Sequence, residues 1–259
     1  MKVNTKDSFN NLLCIIQNKE WLEKQRIAGK VVSQALSYLK NNATKHNALQ
    51  CSKIAEEIIL DNKCTPTFKG YHGFPEAVCI SINKQLVHGI PKEINFNDGD
   101  IVSFDLGATY DGAIADSAIT IIIGENKKAE NLVKITRQAL YESISKIAIE
   151  KKLGIIGQTI YKIAKDNYLQ VIEKYGGHFI SNNEPHAKPF VSNRDKQDNG
   201  IRFQEGMTLA IEPLLCLGFS NDTYTDKDGW TVYTKDLSAH FEHTIYIHKD
   251  KVEIITEGK

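Results

Sequence analysis

The sequence has few features of a secreted, membrane-bound or nucleic-acid-binding protein. Its five cysteines are an odd number without C-x-x-C spacing, which argues against a disulfide framework and a thiolate zinc site. They are Cys14, Cys51, Cys64, Cys79 and Cys216. The 32 basic and 32 acidic residues cancel, so no net charge draws the chain to nucleic acid or an anionic membrane. We therefore expect no direct nucleic-acid binding.

Long apolar runs are also missing. Residues 1–20 contain one such run, from Leu12 to Ile16, which is too short for a signal peptide. No segment approaches the roughly 20 apolar residues of a membrane helix, so we expect no membrane association and a cytoplasmic monomer. Because no Pro-, Gly- or Ser-rich linker divides the chain, we predict a short extension over residues 1–20 and one domain over 21–259.

Residues 100–124 are the most informative stretch. They are typical of two β-branched strands joined at Asp111-Gly112, a dipeptide favoured in two-residue turns. Asp105 then falls opposite Ala118, which puts Asp105 and Asp116 on one face as diagonal neighbours. A single Asp in a strand is more often an edge residue or a hydrogen-bond acceptor. Two buried carboxylates with no Lys or Arg in the stretch instead favour a bound cation.

The remaining pattern runs through two similar blocks of helix, helix, loop and strands. Helices are predicted from about residue 21, with Ile27 among the inward positions, and at 48–60, 128–149 and 158–174. Strands are predicted at 77–82, 208–217, 230–234, 240–248 and 252–256, and a loop-rich stretch at 176–200. We read the blocks as two halves of one domain.

Two further strand-like segments each carry a carboxylate, Glu212 and Glu242, inside an apolar run. Each glutamate alone could be a solvent-facing residue of an alternating strand. Together with Asp105 and Asp116 they bring about −4 charges, which two divalent cations would neutralise, and His178 could add an imidazole. Such an oxygen-rich set suits Mn²⁺, Fe²⁺, Co²⁺ or Zn²⁺, and a two-metal site can activate water for hydrolysis.

From about Trp21 to the C-terminus, the chain resembles the type I methionine aminopeptidases, a metallopeptidase family with the pita-bread fold. Several short motifs in the right order carry the resemblance: residues 70–75 (GYHGFP), 79–83 (CISIN), 88–91 (HGIP), 98–102 (DGDIV), 205–208 (EGMT), 211–213 (IEP), 228–231 (DGWT) and 241–244 (FEHT). The resemblance implies an α+β fold with two pseudo-symmetric halves, in which helices cover a curved antiparallel sheet. It also implies that the chain removes N-terminal methionine from nascent proteins, with a preference for a small second residue.

Carried over to this chain, the resemblance implies two metal ions (Co, Mn, Fe(II) or Zn) held by Asp105, Asp116, His178, Glu212 and Glu242, with Asp116 and Glu242 bridging. His88 and His186 would be catalytic and substrate-binding residues: His88 near the substrate's N-terminus, His186 on the scissile carbonyl. Glu212 would also shuttle the proton. The methionine pocket would be lined by Tyr71, Phe74, Cys79 and Trp230. The partners would be the N-termini of nascent polypeptides, and the ribosome is a further candidate.

The chain departs from the family around its histidines. Residues 177–181 read GHFIS where the family usually has Gly-His-Gly-Ile-Gly, and 186–189 read HAKP where it has His-Glu-x-Pro. Pro185 and Phe68 also replace expected residue types. Two alternatives stay open: a prolidase or aminopeptidase P, which shares the fold and ligands, and a catalytically impaired pita-bread protein that binds ribosomes or RNA.

Overall fold

The computed structural model describes residues 15–258, which combine helices with antiparallel strands as predicted. The helices in this part of the chain are α1 (Lys19–Asn42), α2 (Ala48–Asp61), α3 (Lys127–Ser145) and α4 (Gly154–Asp166), with 3₁₀ turns at Ala43–Lys45 and Tyr71–Gly73. The strands are β1 (Thr65–Pro66), β2 (Cys79–Ile82), β3 (Gln85–Val87), β4 (Ile101–Tyr110), β5 (Ala113–Ile122), β6 (Gln170–Val171), β7 (Gly177–Ser181), β8 (Glu184–Val191), β9 (Thr208–Ile211), β10 (Leu214–Cys216), β11 (Tyr224–Thr225), β12 (Val232–Tyr233), β13 (Ser238–His240), β14 (Glu242–Ile247) and β15 (Val252–Ile254). None of the helices within residues 15–258 has the length and apolar character needed to cross a bilayer.

One nine-stranded sheet organises the molecule. Its order is β1-β4-β5-β14-β9-β7-β8, with β2 also pairing with β4 and β15 with β14, and all these pairs are antiparallel. The two blocks of the sequence meet where β5 pairs with β14. Helices α1 and α2 share an apolar core with β2, β4 and β5, and α3 and α4 share another with β7, β9 and β14.

The alternation of side chains in β4 decides which face becomes acidic. Phe104 and Leu106 are fully buried in the core beneath α1 and α2. Because successive residues of a strand point to opposite faces, Asp105 between them points away from the helices. The helices therefore cover one face of the sheet, and the other face is left for polar chemistry.

Helix α1 is held at its start and against strand β15. The backbone N–H of Trp21 donates to Asn18 Oδ1 at 2.8 Å, which caps the helix. Arg26 donates two hydrogen bonds of 2.7 Å to the two carboxylate oxygens of Glu253. These bonds lower the pKa of Glu253 to about 2, so the pair stabilises the charged carboxylate.

Glu253→Gln is expected to lower the melting temperature near neutral pH and to lose its effect in acid. The pKa of Glu253 is lower in the folded state than its ordinary value of 4.5, so the carboxylate stabilises the fold above that pH and loses this effect as the pH falls towards 2. For a partly exposed pair we expect about 1 kcal/mol, or about 2–4 °C. Thermal unfolding of both proteins across this range is the measurement, and a difference that stays constant into acid would contradict the assignment.

The prediction of a loop-rich stretch over residues 176–200 is wrong. It contains a β-hairpin of β7 and β8, which turns at Asn182-Asn183, where Asn183 has a φ of 57°. Pro185 and Pro189 within β8 obscured the strand, because proline cannot donate to a sheet ladder. The structure tolerates both because β8 is the last strand of the sheet order.

Several predicted boundaries also differ. The helix predicted over 158–174 spans Gly154–Asp166 instead: its C-cap is Asn167, and Tyr168 follows with a φ of 59°. The helix over 128–149 stops at Ser145. Ile27, predicted to face inward, is 41% exposed.

The two strands that carry the glutamates are each interrupted. The strand predicted over 208–217 divides into β9 and β10, and that over 240–248 divides into β13 and β14. Glu212-Pro213 occupies the first gap, and Phe241 occupies the second. At the N-terminus, Ile15 is buried in the second core, while residues 1–14 of the extension predicted over residues 1–20 lie outside the described residues.

Candidate metal centre

Asp105 and Asp116 are brought together by the β4–β5 hairpin. The predicted register is confirmed: Asp105 lies opposite Ala118, and Asp116 lies opposite Gly107. Asp116 is 1% exposed and Asp105 is 9% exposed. Two carboxylates thus share one side of the sheet at diagonal positions, as the turn at Asp111-Gly112 requires.

His178 approaches this pair from β7, two strands beyond β14. Its Nε2 lies 3.9 Å from Asp116 Oδ2, 3.6 Å from Glu212 Oε1 and 3.7 Å from Glu242 Oε1. Its Nδ1 lies 3.4 Å from the Phe179 carbonyl oxygen. A proton held on Nδ1 by this carbonyl leaves the Nε2 lone pair directed at the carboxylates, the arrangement that a metal-binding imidazole needs.

The donor atoms are close enough for metal binding. They form three overlapping groups in which the ligand atoms lie within 4.8 Å of one another: Asp105, Asp116 and Glu242; His178, Glu212 and Glu242; and Asp116, His178 and His186. The structure thus brings together all five residues predicted as ligands and adds His186 at the edge. Asp116, His178 and Glu242 each belong to two groups.

Burial makes these carboxylates hard to ionise together. It raises the pKa of Asp116 to about 8, with repulsion from Glu212 adding to the effect. The pKa values of Asp105 and Glu242 are also well above the ordinary range, because of burial first and neighbouring carboxylates second. Burial likewise raises the pKa of Glu212, but the neighbouring imidazoles, His240 first and His178 after it, outweigh that effect, so this carboxyl has the lowered pKa.

The surroundings of the four carboxylates fit a divalent cation. Asp105 Oδ1, Asp116 Oδ1 and Glu242 Oε1 are buried without a hydrogen-bond partner in the described part of the chain. Within residues 15–258 no Lys or Arg makes an ion pair with any of the four acids. Unpaired buried carboxylates are costly, and oxygen-rich donors with one imidazole match the preferences of Mn²⁺, Fe²⁺, Co²⁺ and Zn²⁺.

These groups line a cavity of about 450 Å³, one side of which is apolar. Phe68, Phe74 and Cys79 are buried together and pack against Trp230. The rings of Phe74 and Trp230 meet edge to face, with centroids 5.2 Å apart. Three of the four predicted pocket residues therefore form one wall, to which Phe68 adds bulk.

Tyr71, the fourth pocket residue, lies beside His186 and is linked to its backbone through hydrogen bonds to Glu184. Its hydroxyl donates to Glu184 Oε1 at 3.0 Å, and the same oxygen accepts the backbone N–H of His186 at 3.0 Å. The His186 ring centroid lies 5.2 Å from that of Tyr71 and 4.4 Å from that of His178. A shift in the β7–β8 register near His178 places His186 over the carboxylates despite the altered sequence of this hairpin.

The remaining predicted residue, His88, lies on the aromatic side of the cavity. Its ring centroid is 5.9 Å from Tyr175 and 6.4 Å from Trp230. Burial lowers the pKa of His88, and desolvation by the surrounding cavity followed by the nearby His178 lowers that of His186, although His186 itself is exposed at the edge of the cavity. Both imidazoles are therefore neutral at physiological pH and can each donate one N–H.

Two residues of the site were not predicted from the sequence: Glu184, which bonds Tyr71 and His186, and His240. His240 is 1% exposed, and its Nε2 lies 3.3 Å from Glu212 Oε2 and 3.8 Å from Glu242 Oε2. The available signal was its spacing, because residues two apart in an extended chain share a face and Glu242 was already assigned to the acidic one.

Comparison with known proteins shows which family the chain belongs to. The model of metallopeptidase family M24 matches residues 22–249. A methionine aminopeptidase of Mycoplasma capricolum is 40% identical over 247 residues, which cover 93% of this chain and 98% of that protein. The crystal structure of a methionine aminopeptidase from Thermotoga maritima superimposes with a TM-score of 0.90 at 35% identity, covering 94% of this chain and 99% of that one. A prolidase from Pyrococcus furiosus shares the fold, with a TM-score of 0.77 at 21% identity, covering 98% of this chain and 68% of that one.

Proposed function

The chain belongs to metallopeptidase family M24 and has its pita-bread fold, and we propose that it removes the N-terminal methionine from peptides and proteins. The observation that carries the proposal is the set of four buried carboxylates and His178 beneath an apolar, aromatic cavity. The family implies use of a divalent metal. The cytoplasmic location, the monomeric state, the single domain over 21–259 and a ribosomal partner stay predictions from the sequence.

We propose that two divalent ions (Co, Mn, Fe(II) or Zn) are held by Asp105, Asp116, His178, Glu212 and Glu242. Unpartnered oxygens on three of these carboxylates and the lone pair of His178 Nε2 support this assignment. When bound, such ions supply an acidified water and a polarised peptide carbonyl.

The protein's own side chains would then handle the proton and the carbonyl. Glu212 has a lowered pKa and is ionised at neutral pH, so it can accept a proton and pass it to the leaving amine. Neutral His186 can donate an N–H to the carbonyl oxygen as negative charge develops there. Tyr71 and Glu184 hold the backbone of His186 in place for this contact.

Specificity would come from the cavity wall. Phe74, Cys79 and Trp230 offer apolar and polarizable surface to a flexible thioether, which packs well against aromatic edges. His88, close to Trp230, would contact the substrate near its free amino end.

A short peptide panel tests the proposed function. With added Mn²⁺ or Co²⁺, the protein is expected to release methionine from Met-Ala-Ser but not from Met-Lys-Ser or N-acetyl-Met-Ala-Ser. Free methionine is measured by chromatography, and Glu242→Gln purified in parallel controls for contaminating peptidases. Cleavage of Xaa-Pro peptides without action on Met-Ala-Ser would favour a prolidase, and no cleavage of any peptide would favour an impaired relative.

A further inference from the structure

His240 is a buried histidine without an ordinary structural role. Neither of its ring nitrogens has a hydrogen bond of good geometry within residues 15–258. Its Nε2 nevertheless lies 3.3 Å from Glu212 Oε2, the closest approach of any imidazole to the four acids. A polar ring that is 1% exposed is costly unless it pairs with something inside the cavity.

The surroundings decide which nitrogen carries the proton. A bare Nε2 would direct its lone pair towards carboxylate oxygens of Glu212 and Glu242 at 3.3 and 3.8 Å, which is repulsive. A proton on Nε2 instead makes both contacts attractive, because the N–H then faces the negatively charged oxygens. His240 is therefore placed to donate to Glu212.

The backbone of His240 is fixed on both sides. Its N–H donates to Thr120 Oγ1 at 2.9 Å, and that hydroxyl donates back to its carbonyl oxygen at 2.6 Å. In β13 it pairs with Leu214 of β10, the strand that begins two residues after Glu212. The imidazole and the glutamate are thus carried by neighbouring, mutually bonded segments.

We propose that His240 is a positioning residue that holds Glu212 by a hydrogen bond from Nε2 to Oε2, leaving Oε1, on the His178 side, for a metal ion. This inference rests on the proposed metal centre. Groups that hydrogen-bond to metal ligands orient them and strengthen binding.

Titration of EDTA-dialysed protein with Co²⁺ tests the proposal. His240→Leu is expected to weaken Co²⁺ binding by about 10–100-fold, the usual cost of losing a hydrogen bond to a metal ligand. His240→Gln, whose amide can donate from a similar position, is expected to keep the affinity within a few-fold of the wild type and to leave the Co²⁺ visible spectrum unchanged.

His243→Gln is the matched control, because this buried histidine of β14 bonds Thr256 and Tyr141 instead of the acids. Its Co²⁺ affinity should stay close to that of the wild type, and circular dichroism checks that each variant folds. Wild-type affinity in His240→Leu would overturn the proposal. So would equal loss in His240→Gln or a shifted spectrum, since either would make the imidazole itself a ligand.

The Co²⁺ titration tests the role of His240 separately from the proposed function. Tight Co²⁺ binding without methionine release would overturn the proposed function and leave the role of His240 intact. A wild-type protein that binds no Co²⁺ would overturn both.

Discussion

Glu242→Gln is expected to abolish peptide hydrolysis and to make the metal-free protein more stable. Glu242 belongs to two of the three donor groups, so its loss should lower turnover by more than the roughly 100-fold typical of an orienting partner. In the absence of metal, the same carboxylate is 2% exposed, and Asp116, Glu212 and Asp105 repel it. Glutamine has similar size and does not titrate, so folding of the metal-free variant no longer requires a proton at this position.

The stability gain should be clearest near pH 8, where more of the acids are ionised. Removing the need to keep this buried carboxyl protonated is worth on the order of 1–3 kcal/mol, and each kcal/mol shifts the melting temperature by about 2–4 °C. Melting temperatures in EDTA and methionine release with Mn²⁺ or Co²⁺ are the two measurements. Asp105→Asn should behave in the same way.

Glu205→Gln provides the control for this pair of variants, because it makes the same change of charge at an exposed position. It is expected to change neither readout. Glu242→Gln with a tenth or more of wild-type turnover, or with a lower melting temperature in EDTA, would contradict the assignment of Glu242 to a metal centre.

The metal-free protein is expected to lose stability as the pH rises from about 6.5 to about 8. The pKa of Asp116 is about 8 in the folded protein against an ordinary value of 3.8, and those of Asp105 and Glu242 are also raised. Above about pH 6.5 the histidines of the unfolded chain are neutral as well, so the buried histidines with lowered pKa values no longer oppose this effect. The folded state then binds more protons than the unfolded state, so the free energy of unfolding decreases with pH. The stabilising effect of holding these protons is complete below the unfolded pKa and is lost through the folded pKa.

Bound metal should reverse this trend, since cations stabilise the ionised carboxylates. Mn²⁺ at about 100 times its dissociation constant adds about 2.7 kcal/mol, and the resulting gain in melting temperature should be larger near pH 8 than near pH 5. Differential scanning fluorimetry with EDTA or Mn²⁺ measures both curves. Asp116→Asn isolates the contribution of this group: without metal its curve should be flatter than that of the wild type. Parallel curves would show that Asp116 does not titrate as described.

Local sequence signals predicted the position of the two aspartates of the metal centre. The turn at Asp111-Gly112 and the alternation of β4 and β5 were enough to place Asp105 and Asp116 together, because hairpin register follows from the turn. The apolar runs around Glu212 and Glu242 likewise indicated buried acids. The prolines of β8, by contrast, obscured the strand that carries His186, because the tolerance for proline depends on a strand's place in the sheet.

The sequence alone determined the residue types of the site, the hairpin register and the surplus of buried acids without lysine or arginine nearby. These depend on side-chain period and turn chemistry, which act over a few residues. Only the tertiary structure decided that β14, β9 and β7 follow β5 in the sheet, which brings Glu242 and His178 to the aspartates. It also decided that β13 lies beside β10, which sets His240 against Glu212. Contacts between segments that lie from tens of residues to more than a hundred residues apart along the chain arise from packing across the sheets, and no local pattern encodes them.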